Sequence, residues 1–309
     1  MKVTYLFDIL LLLMISAFIL TALILTFNRY YDRFYQREYK RLVSEAVEYM
    51  LDDETPPPYA DILRRKILRN VIIDLLFITK GQSLETLRKV YDLNGYYKHD
   101  LSLLRHMSWH KRLAAIVRID QWKTLGALNE YTYLLDDRNK EVRNHAMKTL
   151  SRTSDPELAK NILRHLAETK VDLFIRYECL SRLLSEHRDL LLEIMQDPQA
   201  KSLPPLIIKV LGDKRDIASV PYILEACRGE TSSLRENGYT ALGKIGDPRS
   251  LSFLLEGLES EVPVERVAAL KALALVDEDL LKKNRDAIEN DNDPLVKGWA
   301  QFILRNLQA

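Results

Sequence analysis

Leu234-Arg235-Glu236-Asn237-Gly238-Tyr239-Thr240-Ala241-Leu242-Gly243-Lys244-Ile245-Gly246-Asp247-Pro248 is the stretch whose reading decides the fold. Apolar and small residues return at helical spacing as far as Ile245. Gly-Asp-Pro then ends one helix and starts the next, because glycine tolerates positive φ, aspartate caps and proline suits a first helical turn. Counting 31 residues on from Arg235 reaches Arg266, and 31 more reaches Lys297. Gly238, Ala269 and Ala300 keep step, as do Leu242, Leu273 and Leu304. A period of this length marks an array of stacked helical hairpins, each too small to bury a core alone.

The pattern also runs towards the N-terminus. Arg112-x-x-Ala115, Arg143-x-x-Ala146-x-x-x-Leu150 and Arg176-x-x-Cys179-x-x-x-Leu183 recur at intervals of 31 and 33 residues. Lys201 to Ile208 fills the longer gap before Arg235 as a weaker member, and its Leu211-Gly212-Asp213 reads as the counterpart of Ile245-Gly246-Asp247. Upstream, Ile62-Leu63, Ile67-Leu68 and Val71 to Leu76, then Leu84, Leu87, Val90 and Tyr91, read as a divergent first repeat. Terminal repeats diverge because one face has no neighbour to cover it. The expected fold class is all-α: an α-solenoid over 59–309 behind one N-terminal helix.

Composition agrees. Leu, Ala, Lys, Arg and Glu dominate, and only ten glycines occur in 309 residues. A formal net charge of +1 gives no support to a general electrostatic grip on nucleic acid. Cys179 and Cys227 are the only cysteines and sit in no CxxC or Cys/His cluster, so they read as reduced packing residues.

From Ile9 to Phe27 the chain carries no charge over 19 residues, long enough to cross a bilayer. A cleaved signal peptide would want a basic leader, a shorter apolar centre and a small-x-small site. Asp8 and the bulky Phe27-Asn28-Arg29-Tyr30 favour a retained anchor. Lys2 alone precedes the run, whereas Arg29, Arg33, Arg37, Lys40 and Arg41 follow it, which by the positive-inside rule puts the C-terminal bulk in the cytoplasm. Tyr30, Tyr31, Phe34 and Tyr35 suit an aromatic belt or the apolar side of a helix leaving the membrane. The pairs Ala17/Thr21 and Ala22/Thr26 would let a second membrane helix approach closely. The expected organisation is an anchor over 1–28 (N-out, C-in), a juxtamembrane helix over 29–55, a proline linker at 56–58 and the solenoid beyond.

The pattern hydrophobic-Arg-x-x-Ala-x-x-Ala-Leu-Gly with a following Gly-Asp-Pro resembles HEAT repeats of the bacterial type also found in phycobilisome lyases. That resemblance runs from about Pro57 to the C-terminus and is strongest from Trp109. It implies that the repeating arginines meet turn aspartates in a ladder between repeats; Asp137 stands six before Arg143, and Asp291 six before Lys297. It also implies a binding scaffold. Bacterial proteins with one N-terminal span and a Trp-x-x-Arg entry such as Trp109 to Arg112 resemble companions of membrane-embedded glycosyltransferases of secreted polysaccharide. Enzymes of HEAT-like fold, bilin lyases and alkyl-base DNA glycosylases, are the competing class, and a homo-oligomeric membrane organiser is a third. The glycosylase reading conflicts with the balanced charge and the anchor.

No catalytic residue, cofactor or metal is expected. His106 and His110 are four apart, which is ligand spacing, but no third ligand is predicted beside them. GxGxxG, GxxxxGK[ST] and GxSxG are absent from the sequence. The candidates for protein binding are Trp109, Lys111, Arg112 and Trp122 in one aromatic and basic stretch, with Tyr239 and Trp299 on helices that would line the groove. Burial between repeats accounts for these aromatics as well.

Overall fold

The computed structural model describes the backbone of residues 2–52, 61–122, 125–167, 171–197, 202–228 and 231–307, and side chains from 13 onward among these except 52, 122 and 125–130. It comprises two compact units, Met1–Lys123 and Thr124–Ala309. The described residues include no strand.

The first unit contains α1 (Lys2–Asp52), α2 (Ile62–Ile78), α3 (Gln82–Leu93), α4 (Tyr96–Leu103) and α5 (Trp109–Trp122). With 51 residues α1 is about 76 Å long, against a hydrocarbon core of about 30 Å. Its upper part is bare, Phe18 being 76% exposed, and it is long and apolar enough to cross a membrane. Its lower part is packed. Phe34, Tyr35, Tyr39, Leu42 and Ala46 recur at helical spacing and cover Ile67, Val71, Ile72 and Leu87 of α2 and α3. The described part of the 29–55 stretch, expected as a juxtamembrane helix, therefore supplies one wall of the first unit's core. The triple-proline stretch at 56–58 lies outside the described residues.

Phe27, Tyr31, Tyr35 and Tyr39 form a ladder of rings four residues apart, with centroids 6.4, 6.3 and 6.1 Å apart in turn. Two of its hydroxyls are engaged by α2: Tyr39 donates to Asp74 Oδ2 at 2.6 Å, and Tyr35 accepts from Asn70 Nδ2 at 3.0 Å. Phe34 and Tyr35 thus pack on protein rather than serving only as a membrane belt.

A buried carboxylate joins the other four helices. Asp100 of α4 is fully buried and accepts from Tyr91 Oη of α3 at 2.5 Å and from Arg118 of α5 at 2.9 and 2.7 Å, and it pairs with Arg69 of α2. Burial, followed by the neighbouring Asp100 charge, pushes the Tyr91 phenol well above its ordinary value.

The second unit begins with a 3-10 segment, Leu125–Asp136, kinked at Tyr131 (φ −125°, ψ 23°). Then follow α6 (Lys140–Leu150), α7 (Pro156–Ala167), α8 (Leu173–Leu183), α9 (Arg188–Met195), α10 (Pro204–Asp213), α11 (Val220–Cys227), α12 (Ser232–Ile245), α13 (Leu251–Leu258), α14 (Pro263–Val276), α15 (Glu278–Lys283), α16 (Arg285–Glu289) and α17 (Pro294–Asn306). α6, α8, α10, α12, α14 and α17 pack on one another in succession and form the inner row, while the intervening helices cover its back. The row closes most tightly at glycines. A Cβ on Gly212 would lie 2.6 Å from Ala241 Cα, and one on Gly243 would lie 2.6 Å from Ala272 Cα. Backbones this close make the inner row the short side of the array, hence its concave wall.

Gly212 corrects one sequence expectation. Leu211-Gly212-Asp213 is not the turn corresponding to Ile245-Gly246-Asp247; all three residues are helical, and Gly212 matches Gly243, 31 residues on. The residue at the turn position of Gly246 (φ +76°) is Arg215, which holds φ +51° without a glycine's freedom. Asp216 and Ile217 then stand where Asp247 and Pro248 stand.

Candidate functional site

The recurring arginines are structural, with a pairing that differs from the expected one. Arg112, Arg143 and Arg266 each donate through Nη1 to the backbone carbonyl six residues earlier, His106, Asp137 and Ser260, at 2.7 Å. In each case the guanidinium caps a carbonyl of the turn that precedes its helix. The carboxylate comes from the next repeat: Arg266 holds Asp291 in a fork with both bonds at 2.8 Å. Asp291 stands six before Lys297, so the aspartate of one repeat meets the arginine of the repeat before it. One rung earlier Ser260 takes the register position of Asp291, and the charge comes instead from Glu265, which accepts from Arg235 Nε at 2.9 Å and from Ser260 Oγ at 2.6 Å.

The titration shifts follow these contacts. Burial alone would raise the Glu265 carboxyl, but hydrogen bonds from Arg235, Ser232 and Ser260 outweigh it and hold it below its ordinary value. The Arg266 hydrogen bond holds Asp291 low as well. Burial pushes both thiols, Cys179 and Cys227, up to about 12, which removes the thiolate needed for nucleophilic work. Cys227 packs against α12, where a Cβ on Gly238 would overlap its sulfur.

The inner row presents two different surfaces. Towards α8, α10 and α12 it is polar and internally paired: Asp213 accepts from Lys244 Nζ at 2.5 Å and from Tyr177 Oη at 2.8 Å. Lys209 Nζ lies 5.9 Å from the centre of the Tyr177 ring. Towards α14 and α17 the same register positions turn apolar. Val264 and Leu295 succeed Ser202 and Ser233, Leu275 succeeds Lys244, and Phe302 occupies the position of Lys209, Thr240 and Lys271. Leu275 is 68% exposed and Phe302 59%. Trp299 is half-buried, with Lys271 Nζ 3.3 Å from its ring centre and Phe302 edge-on at 5.7 Å. Pro294, Leu295, Gly298, Trp299 and Phe302 line a shallow hollow of about 350 Å³.

The other expected binding residues fall elsewhere. Tyr239 is buried, stacked on Phe253 at 4.9 Å between the two helices of its hairpin, so it is no part of the groove surface. Trp109 is half-buried and stacks on His110 at 3.6 Å, and Lys111 Nζ lies 3.2 Å from His106 Nε2. Arg112 is committed to the carbonyls of His106 and Met107 at 2.7 and 2.9 Å. The side chain of Trp122 lies outside the described residues. His106 accepts the Ser108 amide through Nδ1 at 2.9 Å, and among the described residues no group of three or more His, Cys, Asp or Glu is placed to hold a metal ion.

On α1, Ala17, Thr21, Ala22 and Thr26 are all exposed. Thr21 and Thr26 donate to the Ala17 and Ala22 carbonyls at 2.8 Å, so their hydroxyls are satisfied within the helix. The two pairs point about 140° apart around the helix, so one partner helix can use only one of them. The sequence does carry a signal for Phe302 and Leu275, which is that their repeat positions change from polar to apolar along the array.

An all-helical array whose inner helices close at small residues, with arginine rungs bridging successive hairpins, defines a helical repeat scaffold. The family description "HEAT repeats" fits residues 100–183 and 188–274, together more than half of the chain. The chain belongs to the HEAT-repeat family. A comparison with curated proteins finds no match. Among solved structures the chain is similar to human deoxyhypusine hydroxylase in complex with glycerol, at 14% identity and a TM-score of 0.35 over 88% of this chain and 98% of that one. It is also similar to an engineered protein, at 13% identity and a TM-score of 0.37 over 80% of this chain and 81% of that one. Neither likeness bears on function.

Proposed function

We propose that the chain is a non-enzymatic scaffold, held at a bacterial inner membrane by Ile9–Phe27 with its repeats in the cytoplasm, that binds a protein partner through the inner row of its C-terminal repeats. The observation that carries this reading is the change of the inner row from paired polar residues to exposed Val264, Leu275, Leu295 and Phe302 in the repeats that bring Lys271 onto Trp299. Exposed apolar side chains with an aromatic and a cation among them have the composition of an interface hot spot. The basic run after the apolar segment supports the orientation. The resemblance to single-span HEAT proteins makes a membrane-embedded glycosyltransferase the first partner to test.

Full-length chain, affinity-purified from membranes in mild detergent, should bring down one membrane protein. The double variant Trp299→Ala/Phe302→Ala should lower its recovery by roughly tenfold or more, since hot-spot truncations cost about 2 kcal/mol or more. Undiminished recovery, or an eluate with no enriched membrane protein, would overturn the reading.

A further inference from the structure

Four long cations form one stripe on the side of α1 that faces away from its protein neighbours. At about 100° per residue, Arg29, Arg33, Arg37 and Lys40 fall within an arc of about 80°. All four are exposed, and none forms an ion pair among the described residues. The face carrying Tyr35, Leu42 and Ala46, turned to α2 and α3, lies on the opposite side. Arg41, between the two faces, is already taken up by Glu38 and Glu45 at 3.7 and 3.1 Å. Asp32 flanks the stripe on α1, and Glu48, about two turns beyond Lys40, lies close to the same arc. Towards the N-terminus the same arc continues as Ala22, Phe18 and Ile15, all bare.

Height along the helix matters as much as direction. Counting from Phe27, the backbone of Arg29 lies about 3 Å beyond the apolar run, Arg33 about 9 Å, Arg37 about 15 Å and Lys40 about 20 Å. A headgroup layer is about 5–7 Å thick, so Arg29 lies inside it and Arg33 reaches back into it along its aliphatic stem. Tyr30, 71% exposed, stands beside the stripe at the same height, where an amphipathic ring is favoured. Unpaired guanidinium groups at this height, on the lipid-facing side of the helix, match the phosphates of acidic lipids in charge and in geometry.

We propose that the stripe is a binding site for the headgroups of anionic phospholipids, with Arg29 and Arg33 as the principal contacts and Arg37 and Lys40 as weaker, longer-range ones. This rests on reading Ile9–Phe27 as a membrane span.

The test is native mass spectrometry of the detergent-purified full chain with added phosphatidylglycerol or phosphatidylcholine. The wild-type chain should carry phosphatidylglycerol several-fold in excess, and free inorganic phosphate should not displace it. Arg29→Gln/Arg33→Gln should weaken that preference by roughly fivefold per cation lost, Arg37→Gln/Lys40→Gln by less, and Arg29→Lys/Arg33→Lys should retain most of it. Unchanged circular dichroism would show that the exposed substitutions leave the helix intact. Equal binding of both lipids by a wild-type chain that resists alkaline carbonate extraction overturns the lipid site alone, as does a preference that survives in Arg29→Gln/Arg33→Gln. Release of the wild-type chain by carbonate overturns the span and the lipid site together.

Discussion

Replacing Gly243 by alanine should pry α12 from α14. The added methyl would sit 2.6 Å from Ala272 Cα and 2.7 Å from its Cβ. Carbon atoms in contact prefer about 3.5–4.0 Å, so the two helices must separate by about 1 Å. The opposing atoms belong to the backbone and the first side-chain carbon, and no rotamer change relieves the clash. Overpacking of this kind costs about 1–3 kcal/mol, and this contact belongs at the upper end. Alanine's better helix propensity returns about 1 kcal/mol, leaving a net loss of about 2 kcal/mol. Gly298→Ala in α17 is the matched control, because a Cβ there meets nothing within 4 Å. It should gain up to about 1 kcal/mol from propensity alone. At about 2–4 °C per kcal/mol for a unit of this size, the two variants should melt about 6–12 °C apart. The assay is thermal unfolding of the full chain in mild detergent followed by circular dichroism, with amide hydrogen exchange of α12 and α14 to localise the loss. A Gly243→Ala chain that melts at or above the wild-type temperature would refute the close-packing argument.

Three further outcomes test other parts of the fold. Asp100→Asn leaves the half-buried Arg69 and Arg118 without their counter-charge and should destabilise the first unit by about 3 kcal/mol in denaturant titration; a change under about 1 kcal/mol would mean that the cluster carries little of the packing. Arg215→Gly should stabilise the α10–α11 turn by about 0.5–1 kcal/mol, because a non-glycine residue pays to hold φ +51°; hydrogen-exchange protection of α11 would report it. The third concerns acid. Glu265 and Asp291 titrate below their ordinary values of 4.5 and 3.8, so the folded chain binds fewer protons than the unfolded one in that window. The stability they contribute is present above those ordinary values and is lost as pH falls through their folded ones. Glu265→Gln should flatten the acid limb of a stability profile taken below about pH 4.5, and an unchanged slope would contradict the pairing.

The array was legible because the residues that space its helices must be small at one place in every repeat, and that demand writes a period into the chain. The slip at Leu211-Gly212-Asp213 arose from the same source. Glycine serves both the helix crossing and the helix end, and a short match cannot tell Gly212's task from Gly246's. What escaped the reading was non-local and aperiodic. Asp100 gathers partners from 9 to 31 residues away, and no spacing rule links Tyr91, Arg69 and Arg118 before the helices are folded together. Tyr239 misled because an aromatic at a groove-lining helix looks the same in sequence whether it faces out or back towards Phe253. Trp299 lay within reach, since its neighbours in adjoining repeats are the smaller Asn237 and Ala268.

The unbroken run of α1 from its bare upper part into the core of the first unit has a mechanical consequence. Helix hydrogen bonds continue through Phe27 to Met50 without proline, glycine or a kink to act as a joint. Were the upper part to lie in a bilayer, that continuity would keep the first unit from swinging freely on it. A tilt or twist of such a segment would then pass along the helix to Tyr39, Leu42 and Ala46, as by a shaft fixed to its first gear rather than by a tether.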